Sequence, residues 1–158
     1  MAKINNPRKQ FRFTIQLTGL DGVLLEPYLV QEITHPEVNI EQDTHGDVNY
    51  DIKTAGKVSF GNATLSKILS ANGKDSFFFN WLYETQMAGV GGLIPNDYKR
   101  NIIVTEFGPG SDTILDIWTW SGCFPTKING QTNTRMESGN TIESIELSVD
   151  EVRKNAVT

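Results

Sequence analysis

The chain has very few residues of the types that most often carry chemistry. Its 158 residues include one cysteine, Cys123, and two histidines, His35 and His45. A single thiol excludes an internal disulfide and a multi-thiolate metal site within one chain. A cysteine nucleophile also needs a general base, and neither histidine is near Cys123 in the sequence. We therefore interpret Cys123 as a small buried hydrophobic residue.

Basic residues and long apolar runs are also scarce. The chain has 14 Lys and Arg against 19 Asp and Glu, a net charge of −5. Binding nucleic acid through its phosphates requires clustered basic residues, so that mode is excluded. Apolar runs such as residues 77–79 are far shorter than the about 20 residues of a membrane span. The basic N-terminus lacks a following apolar segment, so we expect no secretory signal and no membrane insertion.

The length predicts one domain, residues 1–158, with a core large enough to need no disulfide or metal. Residues 1–10 are expected to form a mobile arm and residues 153–158 a C-terminal tail. Between them we predict strands at 11–17, 28–33, 58–65 and 99–107, with turns at residues 19–22 and 108–110. Asp75 or Ser76 is expected to cap a helix that runs to about Met87, ended by a glycine-rich stretch.

Two further segments organise this pattern. Residues 112–125 contain apolar side chains of both parities, which predicts a strand buried on two faces, at a packed sheet or a subunit boundary, with a bend at Ser121 and Gly122. Residues 140–151 alternate apolar and polar side chains, and we expect this second strand to pair with the first. The predicted fold is mainly β, with two antiparallel sheets in a sandwich or barrel and one flanking helix. The expected core or interface residues are Trp81, Trp118, Trp120, Pro125, Ile145 and Leu147.

Residues 38–53 predict a β-hairpin. A three-residue loop of Thr44, His45 and Gly46 would pair residue 42 with 48 and 40 with 50, with Gly46 in a left-handed conformation. This register gives one apolar face and one acidic face, and the carboxylates must face water because they repel one another. The acidic residues of interest are Glu41, Asp43, Asp47 and Asp51.

Other functional interpretations of these segments are weaker. Asp43, His45, Asp47, Asn49 and Asp51 alternate as a strand does and lack the glycine and closing glutamate of a calcium loop, so we expect no metal site. The glycines after the helix do not connect a strand to a helix, as a phosphate-binding loop does, and we expect no cofactor.

The order of five motifs resembles the inner tail tube proteins of contractile-tailed bacteriophages, and is similar to the tubes of phage-like contractile injection systems. The resemblance covers residues 11–152. Its most specific part is Phe-Pro-Thr at 124–126, followed by the E-x-I-E-L run at 143–147. The motifs are KVSFGNATLSK at 57–67, FFNWL at 78–82, YKRNIIV at 98–104, ILDIWTWSGCFPTK at 114–127 and NTIESIELSVDE at 140–151.

The resemblance implies a non-enzymatic structural subunit that forms hexameric rings, stacked into a hollow tube inside a contractile sheath. It implies sheath, baseplate, tape-measure and tail-terminator proteins as partners, and DNA only as non-specific passing cargo. The location would be the virion tail, assembled in the bacterial cytoplasm. From the residues we infer that the acidic hairpin lines the lumen. The alternatives are a tube that delivers protein effectors, a monomeric β-sandwich that binds a small ligand or carbohydrate, and a cysteine hydrolase.

Overall fold

The structure is a computed structural model that describes residues 13–18, 24–25, 30–69, 77–91, 98–108, 113–130, 133–136 and 139–155. The predicted arm, the turn at 19–22, the proposed helix caps Asp75 and Ser76, and the turn residues Pro109 and Gly110 lie outside these ranges. Ten strands and one helix are assigned in the described part. They are β1 (Phe13–Thr18), β2 (Leu24–Leu25), β3 (Val30–Thr34), β4 (Val38–Gly46), β5 (Asp51–Phe60), β6 (Ala63–Ile68), α1 (Phe77–Gly89), β7 (Arg100–Phe107), β8 (Ile114–Ile128), β9 (Ile142–Ser148) and β10 (Glu151–Lys154).

The long strand β8 joins two antiparallel sheets. Its first part pairs with β7 on one side and β10 on the other, and the sheet continues through β1 to β2. Its last part pairs with β9, and that second sheet continues through β6 to β3. The predicted mainly β, two-sheet fold is confirmed, and the strand order is open, as in a sandwich, not closed into a barrel.

The bend that lets β8 serve both sheets is at Gly122, as predicted. Its φ of 65° is left-handed, a conformation that glycine adopts without steric cost. Its N–H donates to Oδ1 of Asn101 over 3.1 Å, and the neighbouring Ser121 carbonyl accepts from the N–H of Asp150 over 3.0 Å. These bonds satisfy backbone groups that lose their regular ladder partners where the strand changes sheets.

The core lies between the sheets and follows the two-residue alternation of the strands. Apolar side chains from β1, β6, β7, β8 and β9 are almost fully buried, and α1 adds Phe78 and Trp81. The indole N–H of Trp81 donates to the carbonyl of Tyr98 over 2.7 Å, so this ring is buried without losing its hydrogen bond. α1 ends before Gly91, whose φ is 92°.

The expectation that β8 is buried on two faces is wrong for the single chain. Trp120 faces the core, but Leu115 and Ile117 on the other face are 38% and 39% exposed. No described element covers that face, because α1 and the second sheet contribute their buried side chains to the opposite side.

The predicted hairpin register is also wrong. β4 pairs with β5 so that His45 is opposite Ile52 and Gly46 is opposite Asp51, and the turn contains residues 47–50. The N–H of Asp47 donates to the carbonyl of Tyr50 over 2.9 Å, and its carboxylate accepts from the N–H of Val48 over 2.7 Å. The backbone hydrogen bond between Asp47 and Tyr50 therefore closes the hairpin, and Gly46 does not have a positive φ.

Two strand boundaries differ from the prediction. The segment 58–65 is not one strand, because Gly61 and Asn62 separate β5 of the hairpin from β6 of the second sheet. The predicted C-terminal tail begins too early, because Arg153 and Lys154 pair with Thr119 and Trp118 in β10. Both differences arise from pairing partners that are distant in the sequence.

Candidate assembly interface

The hairpin β4–β5 is exposed along almost its whole length, with only Gly56 and Phe60 of intermediate exposure. Among the described strands, β4 and β5 pair only with each other and form a separate two-stranded sheet. Strands of 9 and 10 residues extend for about 30 Å. A two-stranded ribbon without a packing partner is marginally stable in water, so this hairpin is a segment that another surface would stabilise.

The pairing register gives the two faces of the hairpin different characters. Near the body, Val38, Ile40 and Val58 share one face, and they are 53%, 61% and 46% exposed. This group of exposed apolar side chains, the apolar patch, makes the face a candidate interaction surface. Between Ile40 and Gln42 an irregularity adds a residue to β5, beside Gly56.

The acidic candidates divide between the faces. Glu41 and Asp43 share the face opposite the apolar patch, and Asp47 is in the turn. Asp51 pairs with Gly46 and therefore lies on the same face as the apolar patch, not with the other carboxylates. All four are exposed. The hairpin therefore has an acidic face, but this face carries fewer carboxylates than the sequence pattern predicted.

The base of the hairpin is fixed to both sheets. His35 stacks on Trp118 of the first sheet, with ring centroids 4.2 Å apart, and its Nε2 is 3.3 Å from Oε1 of Glu106. Asn62 on the other side of the base donates to Oε1 of Glu146 in the second sheet over 2.7 Å. The stacking of His35 on Trp118 was not predicted, because the two residues are distant in the sequence and are brought together only by the fold.

The packing candidates are mostly inside the body. Trp81, Trp120, Pro125, Ile145 and Leu147 are buried, whereas Trp118 is half-buried beneath His35 and Lys154. Lys154 Nζ lies 5.1 Å from the Trp118 ring centroid and 3.4 Å from Oδ2 of Asp116.

Two further apolar surfaces are uncovered in the single chain. The sequence indicated the first as part of a packed sheet or a subunit boundary, and the second was not predicted. One is the outer face of the first sheet, with Leu115 and Ile117. The other is an exposed stripe on and just after α1, formed by Phe79, Tyr83, Met87 and Val90. Their spacing of four, four and three residues is typical of one helix face. The stripe was present in the sequence, but apolar residues occur on all sides of this helix, so its period does not indicate which face is free.

The described residues offer no site of the catalytic or metal-binding kind that was considered. Cys123 is fully buried, its Sγ is 3.5 Å from the carbonyl of Trp120, and burial together with the charge of Asp150 raises its pKa to about 12. A thiol in this state is a poor nucleophile. Within the described ranges, no three His, Cys, Asp or Glu side chains are grouped as metal ligands. In the same part of the chain, no helix has the length and apolar character needed to span a bilayer.

Comparison with solved structures finds the same fold in tail tubes. The chain is 20% identical to a chain of the sheath-tube complex of the PVC extracellular contractile injection system, covering 98% of this chain and 95% of the other at a TM-score of 0.74. It is 19% identical to a chain of the tube terminating cap of the anti-feeding prophage, with 99% and 96% covered and a TM-score of 0.74. For the SPP1 tail tube the identity is 10%, the coverage 96% and 80%, and the TM-score 0.59.

Identities this low show a shared fold and no more. Comparison with curated protein sequences found no match. The sequence itself supplies the stronger result, because residues 9–153 match one family over nearly the whole chain. The motif order, the two sheets joined through β8 and the family match agree, and the chain belongs to the T4-like virus tail tube protein gp19 family.

Proposed function

We propose that this tail tube subunit forms hexameric rings and that the rings stack into a hollow conduit. The observation that carries the proposal is the hairpin β4–β5, which is exposed on both faces and has an apolar patch beside the body. A single chain leaves this patch and the outer face of the first sheet in water. Copies of the same chain would cover both, with each copy giving and receiving the same contacts around a closed ring.

The energetic gain is substantial. Burying one Val or Ile side chain contributes about 1.5–3 kcal/mol, so the apolar patch alone would offset part of the ordering cost of association. Strand edges supply a second contribution. Among the described strands, β3 is at the edge of the second sheet, and we propose that its outer edge pairs with an edge strand of a neighbouring subunit. Ring closure would then remove edges that otherwise favour aggregation.

We propose that the acidic face of the hairpin lines the lumen. Glu41 and Asp43 lie on the face opposite the apolar patch. If the patch packs on a neighbouring subunit, these carboxylates would face away from that subunit and toward the lumen, with Asp47 at the tip of the hairpin. Asp51 lies on the other face and would contribute less. Screening acts over about 8 Å at physiological ionic strength, so these charges would repel a DNA duplex only at close approach. The wall would thereby prevent DNA from adhering, and DNA would be non-specific cargo.

The partners follow from this role. We propose contacts with the sheath, the baseplate, the terminator and the tape-measure protein, and assembly in the bacterial cytoplasm before the tail becomes part of the virion. We also propose that the subunit has no catalytic function. The buried thiol of Cys123 is consistent with that role.

A second candidate is a tube that delivers protein effectors. The observation that favours it is the higher structural similarity to injection-system chains, with a TM-score of 0.74, than to the SPP1 tail tube, with 0.59. Isolating particles that contain this chain and identifying the cargo distinguishes the two, since one class would contain a genome and the other would not.

The test of assembly is electron microscopy of the purified chain. Negatively stained rings of six subunits, or tubes, are the expected result. Ile40→Glu should abolish them, because it places a charge in the apolar patch. Asn39→Glu adds the same charge to the neighbouring position on the opposite face and should leave rings intact. A monomer that persists at high concentration in the wild-type chain would refute the proposal and favour the ligand-binding β-sandwich.

A further inference from the structure

The hairpin leaves the body through two short connections, residues 35–37 before β4 and residues 61–62 after β5. The carbonyl of Glu37 accepts from the N–H of Gly61 over 2.8 Å, which holds the two connections together. Pro36 is buried. The direction in which the hairpin leaves the body is therefore set by the side chains that fix these connections, His35 on one and Asn62 on the other.

His35 is held by aromatic rings and one carboxylate. It stacks on Trp118 at an interplanar angle of 28°, and its edge meets Trp120 with ring centroids 5.4 Å apart. Nε2 lies 3.3 Å from Oε1 of Glu106. A carboxylate only accepts hydrogen bonds, so in the neutral ring Nε2 carries the hydrogen and Nδ1 carries the lone pair.

A second proton on His35 would have to go to Nδ1. This atom is buried, and within the described ranges it has no hydrogen-bond partner. Protonation would therefore create a buried N–H and a charge at a position where nothing in the described structure receives the hydrogen. The neutral ring fits this site better than the charged one.

The charged groups around His35 come from three strands. Glu106 of β7 favours the imidazolium, and Lys154 of β10 opposes it, while Asp116 of β8 pairs with Lys154 at 3.4 Å. Burial is the largest effect and outweighs Glu106, so the pKa of His35 is below its ordinary value of 6.5.

We propose that His35 is the positioning residue of the hairpin, and that its packing against Trp118 and Trp120 makes the attachment of the hairpin sensitive to pH. With a neutral ring the base of the hairpin is fixed to the first sheet. Protonation releases the ring from the two tryptophans, and the hairpin then loses its defined direction relative to the body.

The direction of the effect follows from proton linkage. The released state binds a proton with the ordinary pKa of 6.5, and the packed state binds it less tightly. The packing of His35 on the two tryptophans is therefore fully favourable above pH 6.5. It becomes less favourable as the pH falls through 6.5 toward the lower pKa of the packed state. The pH dependence of the His35 packing stands without the proposed function. An effect of pH on assembly rests on the proposed function, in which the hairpin joins subunits.

The first experiment follows the unassembled chain by NMR at low protein concentration. The chain has only two histidines, so His45→Gln leaves His35 as the one imidazole to be observed. The expected result is a His35 titration with a midpoint below 6.5, accompanied by shifts in the amides of residues 37–40 and 58–61. A midpoint at or above 6.5, or hairpin amides that do not respond, would overturn the proposal.

The second experiment measures the polymer pelleted by centrifugation at about pH 7.5 and about pH 5.5, which bracket the ordinary imidazole pKa. For the wild type, we expect the amount of pelleted polymer to be several-fold lower at the lower pH. His45→Gln should show the same ratio between the two pH values, whatever its total amount of polymer. His35→Phe keeps an aromatic ring on Trp118 and His35→Gln keeps a donor for Glu106, and neither titrates. Both variants should give equal amounts of pelleted polymer at the two pH values. Two variants are used so that the test still stands if one of them fails to fold.

The outcomes separate the two proposals. If both non-titrating variants keep the wild-type loss at low pH, the role of His35 is wrong. If His35 and the hairpin amides titrate together in the unassembled chain but the pelleted amount is constant, the positioning role is supported and the role of the hairpin in assembly is overturned.

Discussion

Gly122 and Asp150 occupy the same corner of the molecule, so a Cβ atom at residue 122 would overlap the Asp150 carboxylate. Asp150 is held there by its own contacts, since Lys99 Nζ is 2.8 Å from its Oδ2 and its N–H donates to Ser121. This corner is where β8 leaves the first sheet and joins the second. The bend therefore depends on a residue without a side chain.

We expect Gly122→Ala to lower the free energy of unfolding by about 1–3 kcal/mol or more, because it combines a left-handed backbone with a steric overlap. Urea unfolding of the unassembled chain measures this. Gly89→Ala is the matched control, because no neighbour lies within 4 Å of the added Cβ and α1 ends at this residue. Equal stability of the two variants would show that the bend does not require glycine.

The hairpin should be removable without unfolding the body. Residues 38–60 pair with no other described strand, and the Glu37 and Gly61 backbones are already hydrogen-bonded. Replacing residues 38–60 with a two-residue Asn-Gly turn should change the free energy of unfolding by less than about 2 kcal/mol, because shortening a loop costs little.

The same deletion should abolish rings and tubes. Circular dichroism and thermal melts measure folding, and electron microscopy measures assembly. An unfolded deletion variant would contradict the view that the hairpin is independent of the core. A folded variant that still forms tubes would contradict its role in assembly.

Reversing the charge of the acidic face should retard DNA. Glu41→Lys, Asp43→Lys and Asp47→Lys together would place more cations on one ring than the roughly six to ten phosphate contacts that make binding strongly salt-dependent. We expect DNA release from particles to slow at low salt and to recover at high salt. Asp51→Lys, on the other face of the hairpin, should have a smaller effect. Unchanged release in the triple variant would exclude a lumen lined by this face.

Cys123 should react only when the chain unfolds. Burial and the charge of Asp150 raise its pKa from 9.0 to about 12, so at neutral pH its thiolate population is roughly a thousandfold below that of an exposed thiol. Maleimide labelling followed by mass spectrometry should show no modification in native buffer and complete modification in urea. Rapid labelling of the native chain would place the thiol at the surface.

The sequence by itself determined the class of the fold and most of its elements. Alternating apolar residues specify strands wherever one face is buried, which explains why β1 and β7 were predicted closely and why β9 lies within the predicted segment 140–151, whose last residue begins β10. The bend at Gly122 and the end of α1 were also predicted, because glycine acts locally on the backbone. The order of motifs was enough to identify the tail tube family.

Only the tertiary structure decided the hairpin register and the exposed faces. The hairpin register was mispredicted because the turn contains residues 47–50, closed by a backbone hydrogen bond, and because β5 contains one additional residue opposite Glu41. Neither feature changes the alternation of β4. The free faces of β8 and α1, and the contact of His35 with Trp118, depend on which elements pack together. An apolar side chain looks the same in the sequence whether its own chain covers it or it is left for another copy, because the hydrophobic effect has no direction.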